Sequence, residues 1–239
     1  MKFTVITIAY NEEKNIAETM HSVLEQDYKD MEYLVMDGAS PDHTVAIAEK
    51  LAKESGRNVK IYSEPDFGIY NAMNRGIARA SGDYIIFMNG GDSFYNNKVL
   101  TNIRKKAGQN GTAIYYGHAY LMQKGRCLCV KKFPKEMKVI QEALLKGWMP
   151  VHQSIAAPAG ALKRHYFNED YIIRADYDWL LKCHKERVRF VDLDFPVCRY
   201  DCSGISSRAA FKERMQQETA MIRRKLYPVM GRIYEMYGL

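Results

Sequence analysis

The first third of the chain alternates short, β-branched apolar runs with longer segments in which apolar residues recur every three or four positions. The short runs predict buried strands, and the longer spacing predicts amphipathic helices. This order predicts a mainly parallel sheet with flanking helices, an α/β fold. The predicted strands span residues 3–10, 33–36, 59–62 and 84–88, and the helical stripes are Ile16-Met20-Val23-Leu24, Val45-Ala48-Leu51 and Ile69-Met73-Ile77.

Two helix starts are expected directly after strands. Asn11 has the side chain of a cap, and Glu12 and Glu13 would then complement the helix dipole in the first turn. Ser40 followed by Pro41 is typical of a cap and a first helical position, so the second helix is expected to begin there.

Polar residues stand where each of these predicted strands ends. They are Asn11, Asp37, the run Glu64-Pro65-Asp66, and Asp92. Because ligands of open parallel sheets bind beyond the carboxyl ends of the strands, these side chains are expected at one mouth. A ligand site at that edge is therefore the central expectation.

The second half of the chain is less regular. Residues 113–122 and 126–133 predict two antiparallel strands around a turn at Gln123-Lys124-Gly125, and residues 188–193 predict a further strand. Helices are expected over 139–146 and 175–186. From Ala209 onward the pattern predicts an amphipathic tail that is interrupted at Pro228.

Composition narrows the class without choosing a function. A chain of 239 residues, 47% hydrophobic and 26% charged, is typical of one large globular domain. Neither a membrane-spanning run nor a signal peptide is recognisable, and the five cysteines suggest reduced thiols in the cytoplasm. The spacings of Cys127-x-Cys129 and Cys198-x3-Cys202 differ from the C-x2-C spacing that is usual in zinc sites, so ordinary core cysteines that bind no metal are favoured. The net charge of +7 suits an anionic partner of any kind.

Four local patterns carry chemistry, and each has a structural alternative. Asp37 is either a turn former or a carboxylate that contacts a base or ribose. The run Asn89-Gly90-Gly91-Asp92 is either a glycine-rich turn or an approach to a ligand in which Asp92 holds Mg²⁺ or Mn²⁺. Asp176 and Asp178 either complement a helix dipole or supply a catalytic base. His152-Gln153 is either a buried pair or a ligand pair.

Longer motifs resemble family 2 glycosyltransferases, and most of all their colanic-acid and exopolysaccharide branch. The motifs are ITIAYN (6–11), VMDGASPD (35–42), SEPD-x-GIY-x-AMN-x-G (63–76), GDYI (82–85) with Asp92, His152-Gln153, the Asp176 segment, and SGIS (203–206). The resemblance covers about residues 3–207. It implies a GT-A fold, that is, a Rossmann-like, mainly parallel sheet with a smaller antiparallel part on the acceptor side. It also implies inverting transfer of a sugar from a nucleotide-diphosphate donor.

The resemblance also implies roles for individual residues. Ala9, Tyr10 and Asn11 would flank the nucleotide base, with Asp37 contacting it and Asp66 lining the same pocket. Asn89, Gly91 and Asp92 would lie at the diphosphate. Asp92 would be the metal ligand in an acidic motif that keeps only one of its usual two acids. Asp176 would be the base, with Asp178 second, and Ser203 and Gly204 would belong to a loop that closes over the diphosphate.

Three other classes compete with this interpretation. A sugar-nucleotide pyrophosphorylase would open with a glycine-rich basic loop, whereas this chain has Ala9-Tyr10-Asn11-Glu12-Glu13. An NAD oxidoreductase needs G-x-G-x-x-G after a strand, which is absent. A nucleic-acid-binding protein explains the positive charge but not acids at successive strand ends. Nucleic acid is therefore not an expected partner.

The expected organisation is a glycosyltransferase domain over residues 1–208, divided into a donor half (1–95) and an acceptor half (96–208), and a tail over 209–239. The tail carries six cations and three anions, with Phe211, Met215, Ile222 and Leu226 on one face. It is expected either to pack on the domain or a second subunit, or to lie on an anionic membrane at the cytoplasmic face. A glycan or polyprenyl-linked acceptor and a homodimer are further expectations.

Overall fold

A computed structural model describes residues 1–203 and 209–236 of the chain. The strands are β1 (Phe3–Ala9), β2 (Met31–Asp37), β3 (Val59–Ser63), β4 (Tyr84–Phe87), β5 (Ser93–Phe94), β6 (Ile114–Gln123), β7 (Arg126–Lys131), β8 (Ile155–Pro158) and β9 (Phe190–Asp201). The helices are α1 (Ile16–Leu24), α2 (Thr44–Ser55), α3 (Ile69–Arg79), α4 (Val99–Asn110), α5 (Met137–Leu145), α6 (Ala159–Arg164), α7 (Ala175–Lys185), α8 (Ala209–Leu226) and α9 (Pro228–Met236), with a 3-10 turn at His152–Ser154.

The first four strands form the parallel sheet that the sequence predicts. Their order is β3-β2-β1-β4, and every pairing among them is parallel. Ala9 pairs with Asp37, and Asp37 pairs with Ser63, so three strands end in one row. The polar residues that follow these strands therefore emerge at one edge of the sheet, here called the mouth.

Both faces of this sheet are covered, which is why its central strands are apolar throughout. Every residue of β1 is buried. Ile6 and Ile8 pack with Met73 and Ile77 of α3 on one face. Val5, on the other face, packs in the same cluster as residues of α1 and α4. Such two-sided burial is typical of parallel sheets in α/β proteins.

The second half of the chain extends the same sheet. β8 pairs antiparallel to β4, and β6 pairs antiparallel to β8, so β6 runs in the direction of β4. β9 is parallel to β6, and its last residue, Asp201, therefore also lies toward the mouth. β7 forms the predicted hairpin with β6, in which Lys124 and Gly125 have φ of 47° and 74°. The predicted combination of a mainly parallel sheet with a smaller antiparallel part is confirmed.

Both predicted helix starts are wrong, because other contacts occupy the presumed caps. Asn11 has φ of 57°, and its N–H donates to Ser40 Oγ at 2.9 Å, while α1 begins only at Ile16. The Ser40 side chain turns to Asp37 instead of capping a helix. α2 begins at Thr44, whose N–H donates to the Asp42 carboxylate at 3.0 Å.

α8 packs on the domain along part of its length. Ile222 has no exposed surface and belongs to the cluster that contains residues of α5, α6 and α7, and Leu226 packs against that cluster. Pro228 begins α9, as the predicted interruption requires. Within the described ranges, no helix combines the length and the apolar character that crossing a bilayer requires.

Candidate active site

One part of the mouth, here called the recess, consists of Tyr10, Gly38 and Asp66 from the segments that follow β1, β2 and β3. Gly38 lies between the Tyr10 ring and the Asp66 carboxylate. A methyl group at Gly38 would lie 2.7 Å from Asp66 Oδ2 and 3.3 Å from Tyr10 Cδ2. The Tyr10 side chain is 60% exposed, so its ring is open to a ligand. A flat polar group could stack on the Tyr10 ring, approach the backbone at Gly38 and donate a hydrogen bond to the Asp66 carboxylate.

Asp37 supports this recess from below. Its side chain is buried, and it accepts hydrogen bonds from Ser40 N at 2.9 Å and from Ser63 Oγ at 2.7 Å. Ser40 Oγ also donates to Asp37 Oδ1 at 2.5 Å and accepts from the N–H of Asn11. Asp37 thus ties the ends of three neighbouring strands together, and both of its oxygens already have protein donors.

A second part of the mouth lies at the end of β4. Asp92 is 4% exposed, and its two oxygens accept from Gln153 Nε2 at 2.5 Å and from the N–H of Asp201 at 2.9 Å. Burial raises the pKa of Asp92 to about 7. Gly91, with φ of 91°, needs the conformational freedom of glycine. Asp201 lies close by, since its Oδ2 would be 3.5 Å from a methyl group at Gly91.

The side chains around Asp92 have the chemistry of a site for a divalent cation. Carboxylate and amide oxygens are the ligands that Mg²⁺ and Mn²⁺ prefer. Beside Asp92, buried oxygens of Asn89 and Gln153 have no hydrogen-bond partner among the described residues, which is typical of a place that receives a cation or a donor. Each Asp92 oxygen accepts one hydrogen bond and keeps a second lone pair with which it can bind a cation.

Another group with the spacing of a metal site lies along the sheet from the mouth. It comprises His118, Asp192 and Asp194. The Lys135 ammonium lies 2.6 Å from Asp194 Oδ1 and 3.4 Å from Asp192 Oδ2, so the chain supplies a cation there itself. This group is set back from the strand ends, because β6 continues beyond His118 to Gln123.

Asp176 faces the end of β4 through His152. Asp176 Oδ2 lies 3.5 Å from His152 Nδ1, and His152 Nε2 lies 3.3 Å from Asn89 Nδ2. Asp176 Oδ1 accepts from Tyr70 OH at 3.2 Å and from the N–H of Tyr177 at 2.8 Å. His152-Gln153, an open pattern in the sequence, thus joins two acids: His152 contacts Asp176, and Gln153 contacts Asp92.

The protein around Asp176 keeps its carboxylate ionised. Burial by itself would raise the pKa of Asp176, but the hydrogen bond and charge of His152, together with the charge of Arg174, outweigh it. The pKa of Asp176 therefore lies below its ordinary value. An ionised carboxylate at the mouth can accept a proton from a hydroxyl group.

Asp178 points elsewhere. Its side chain is 1% exposed, and Oδ2 lies 2.5 Å from Lys182 Nζ, one turn later on α7. Of the two acids in the first turn, Asp176 is the one that contacts His152 and so faces the mouth.

Ser203 is exposed, and its N–H donates to Asp201 Oδ1 at 3.1 Å. Gly204, the other predicted loop residue, lies outside the described residues. The five cysteines, all of which are described, form no disulfide.

Asp201 and Glu12 are acids of this region that the sequence analysis did not select. Asp201 is the last residue of β9, whereas the predicted strand ended at residue 193. With the correct strand end, Asp201 would have been predicted to lie at the mouth, as Asp92 was. Glu12 lies against Gly90, where a methyl group would come within 2.6 Å of its Cγ. Burial raises the pKa of Glu12. Its contact with Gly90 depends on tertiary packing, for which the sequence carries no signal.

Comparison with protein families identifies a family to which most of the chain matches. The sequence profile described as "Glycosyl transferase family 2" matches residues 4–210. The chain belongs to this family. It is therefore a glycosyltransferase, and the oxidoreductase, pyrophosphorylase and nucleic-acid-binding alternatives are set aside.

Individual relatives agree with the family. The chain is 29% identical over 212 residues to the "Amylovoran biosynthesis glycosyltransferase AmsB" of Erwinia amylovora, covering 84% of this chain and 69% of that protein. It is also 29% identical over 210 residues to an uncharacterised glycosyltransferase of Mycobacterium tuberculosis, covering 85% of this chain and 76% of that one.

Solved structures share the fold. S. aureus TarS superposes with a TM-score of 0.71 at 20% identity, covering 95% of this chain and 66% of that chain. The mannosyltransferase PcManGT of Pyrobaculum calidifontis superposes with a TM-score of 0.69 at 21% identity, covering 94% and 63%. The glycosyltransferase thus spans about two thirds of the length of these structures, and the likeness supports the predicted GT-A fold.

Proposed function

We propose that this glycosyltransferase moves a sugar, with inversion, from a nucleoside diphosphate to a hydroxyl group of a glycan or polyprenyl-linked acceptor in bacterial surface polysaccharide synthesis. The observation that carries this proposal is the ionised Asp176 carboxylate, held by His152 beside the end of β4. The relative AmsB, named for amylovoran biosynthesis, supports a polysaccharide product.

Asp176 is the proposed catalytic base. As the acceptor oxygen attacks the anomeric carbon, its proton passes to an Asp176 oxygen, and the bond to the diphosphate breaks on the opposite face of the sugar. Such displacement from the opposite face inverts the anomeric configuration. His152 would orient the carboxylate through Nδ1, while its Nε2 lies beside the Asn89 amide.

The nucleotide is proposed to bind in the recess at Gly38. Its base would lie against the Tyr10 ring, between the ends of β1 and β2, where Ala9 and Asn11 supply backbone groups. Asp66 would accept from the base or ribose, and Asp37 would support the recess through Ser40 and Ser63. The absence of a side chain at Gly38 lets the Asp66 carboxylate and the Tyr10 ring lie close to its backbone.

The diphosphate is proposed to bind between Gly91, Asp92 and the loop that begins at Ser203 and continues through Gly204. Asp92 would hold Mg²⁺ or Mn²⁺ with Asp201 as a second oxygen source, which would restore the pair of acids that the sequence motif lacks. When bound, the metal neutralises charge that develops on the leaving diphosphate. PcManGT, solved with GDP-Man and Mn²⁺, supports a metal in this fold.

Two donors deserve testing first. TarS was solved in complex with UDP-GlcNAc and with UDP, and PcManGT in complex with GDP-Man. Uridine and guanosine nucleotides therefore both belong in a screen.

Contact with the cytoplasmic face of an anionic membrane is proposed for the outer surface of α8 and α9. Ile222 and Leu226 are packed on the domain, so the exposed Met221 and Val229, with Lys225 and Arg232, would have to make this contact. Co-sedimentation with vesicles of rising anionic-lipid content tests it. K225E/R232E should release the protein, and unchanged binding would contradict the proposal.

The test of the main proposal is a screen of UDP- and GDP-sugars for hydrolysis and thermal shift, with and without Mn²⁺, followed by two variants. Asp176→Asn should retain nucleotide binding and lower turnover by about 10²–10⁴-fold. Asp178→Asn is the matched control on the same helical turn. Normal turnover in Asp176→Asn, with loss in Asp178→Asn, would transfer the role of base to Asp178.

A further inference from the structure

Three consecutive backbone N–H groups just before α7 converge on one carboxylate. The N–H groups of Ile172, Ile173 and Arg174 donate to Glu218 at 2.9, 3.0 and 3.0 Å. Glu218 lies on α8, far along the chain, and is 1% exposed. The first N–H groups of a helix and of the turn that enters it have no partners within the helix. Here a side chain from another element satisfies them.

Glu218 is itself held in place. Arg214, one turn earlier on α8, donates from Nε to Glu218 Oε1 at 2.8 Å. Burial by itself would raise the pKa of Glu218, but the three backbone donors and Arg214 outweigh it and hold that pKa below its ordinary value. The carboxylate is therefore charged at neutral pH, and hydrogen bonds to a charged acceptor are the stronger kind.

α8 also contacts the end of α5, and Arg174 links the start of α7 to α8 and to the residues just after α5. Arg174 donates from Nε to Thr219 Oγ1 at 3.0 Å and through a terminal nitrogen to the carbonyl of Gly147 at 2.9 Å. Arg223 donates to the carbonyl of Leu145, at the end of α5, at 3.1 Å. One face of α8 thus joins the entry of α7 to the exit of α5.

We propose that Glu218 is a positioning residue for Asp176. Only Ala175 separates Asp176 from the segment that Glu218 binds, so the carboxylate of Glu218 determines where α7 begins and how Asp176 meets His152. Glu218 lies beyond residue 210, where the family match ends, so this role belongs to the tail of this chain and not to the matched family region. The inference rests on the proposed role of Asp176 as the base.

A purely structural role for Glu218 would predict something different. Losing a buried cap would then lower the thermal stability and leave the turnover of the folded enzyme unchanged. A positioning role predicts lower kcat in the folded enzyme, because displacement of a catalytic group by about 1 Å can cost up to 10²-fold in rate. Donor binding should not change, since the proposed nucleotide recess lies at β1, β2 and β3.

The experiment compares E218A and E218Q with E213Q in the full chain. Glu213 is exposed on the same helix, where its carboxylate accepts from Gln217 Nε2 at 3.2 Å, so E213Q removes the same charge without touching the α7 entry. Hydrolysis of the UDP- or GDP-sugar selected in the screen gives kcat and KM, and calorimetry gives the affinity for UDP or GDP. Hydrogen exchange reports on the amides of residues 172–178.

E218A should lower kcat by about 10- to 100-fold, with KM and nucleotide affinity within about twofold of the wild type. The kcat of E218Q should lie between those of E218A and the wild type, because the amide oxygen of glutamine can still accept a hydrogen bond. Amides 172–178 should exchange faster in both variants, and E213Q should match the wild type. If E218A does not fold, E218Q and R214A, which frees the carboxylate without removing it, carry the test.

Two failures are distinguishable. Normal kcat in folded E218Q and E218A, together with inactive Asp176→Asn, overturns the positioning role and leaves the proposed function intact. Normal turnover in Asp176→Asn overturns the assignment of the base, and the positioning role falls with it, whatever hydrogen exchange shows at residues 172–178.

Discussion

The Nδ1 atom of His152 lies 3.5 Å from the Oδ2 atom of Asp176, and this contact connects the 3-10 turn before β8 with the first turn of α7. Asp176 is largely shielded from water, and without a compensating partner its pKa would rise. The contact therefore helps to lower the pKa of the proposed base and also orients its carboxylate. It also relates Asp176 to the end of β4, because the other ring nitrogen of His152 lies beside Asn89.

Replacing His152 should make turnover more sensitive to acid. In His152→Ala, burial and the remaining charge of Arg174 act on Asp176 without the histidine, so the pKa of Asp176 should rise. A carboxylate must be ionised to act as a base, so the acid limb of the kcat–pH profile should move to higher pH. The loss should be larger at pH 6 than at pH 8.

His43→Ala is the matched control for this variant, since the His43 side chain is 83% exposed and pairs with Glu13 on the other side of the sheet edge from α7. Its pH profile should superimpose on that of the wild type. A uniform loss in His152→Ala at every pH would show that the histidine acts on substrate binding alone.

Metal affinity should depend on pH through Asp92. The pKa of Asp92 is raised by burial to about 7, so below that pH a metal ion must displace a proton. Mn²⁺ affinity in the presence of UDP or GDP should fall about tenfold for each pH unit below 7 and level off above it. Calorimetry in two buffers of different ionisation enthalpy counts the released proton.

The same carboxyl group predicts a sign for stability. The folded chain retains a proton that the unfolded chain loses at its ordinary pKa of 3.8, so this group makes the metal-free protein less stable as pH rises from about 3.8 to about 7. Asp92→Asn should remove this slope and the pH dependence of Mn²⁺ binding together. Retention of both would exclude Asp92 as their source.

Much of the mouth could be predicted from the sequence because parallel strands impose a simple geometry. Apolar runs revealed β1 to β4, and the residues that follow them, including Asp37 and Asp92, emerge at one edge. Helix starts were less predictable, since Asn11 and Ser40 have the chemistry of caps but bind each other across the sheet edge. Glu218 had no local signal, because the donors that it binds come from another element.

A single methyl group at Gly38 would disturb the recess. Gly38→Ala would bring Cβ to 2.7 Å from Asp66 Oδ2, so the carboxylate or the backbone must shift. UDP or GDP affinity should fall by about tenfold or more, with or without Mn²⁺, since the recess is proposed to hold the base. Gly160→Ala is the control, because nothing lies within 4 Å of its added methyl group. Unchanged affinity in Gly38→Ala would place the base elsewhere.

Asp178 offers a test of whether burial on α7 serves stability or catalysis. Its Oδ2 is paired with Lys182, and its buried Oδ1 has no hydrogen-bond partner in the described part of the chain. Asp178→Asn removes the charge that Lys182 neutralises, which should cost about 1–3 kcal/mol in the free energy of unfolding. Turnover per folded molecule should stay within about threefold of the wild type, in contrast to Asp176→Asn. Urea unfolding gives the free energy of unfolding, and hydrolysis assays on a separate portion of the same preparation give the turnover. A stable but inactive Asp178→Asn would mean that Asp178 takes part in the reaction, and that α7 presents its other acid to the substrate.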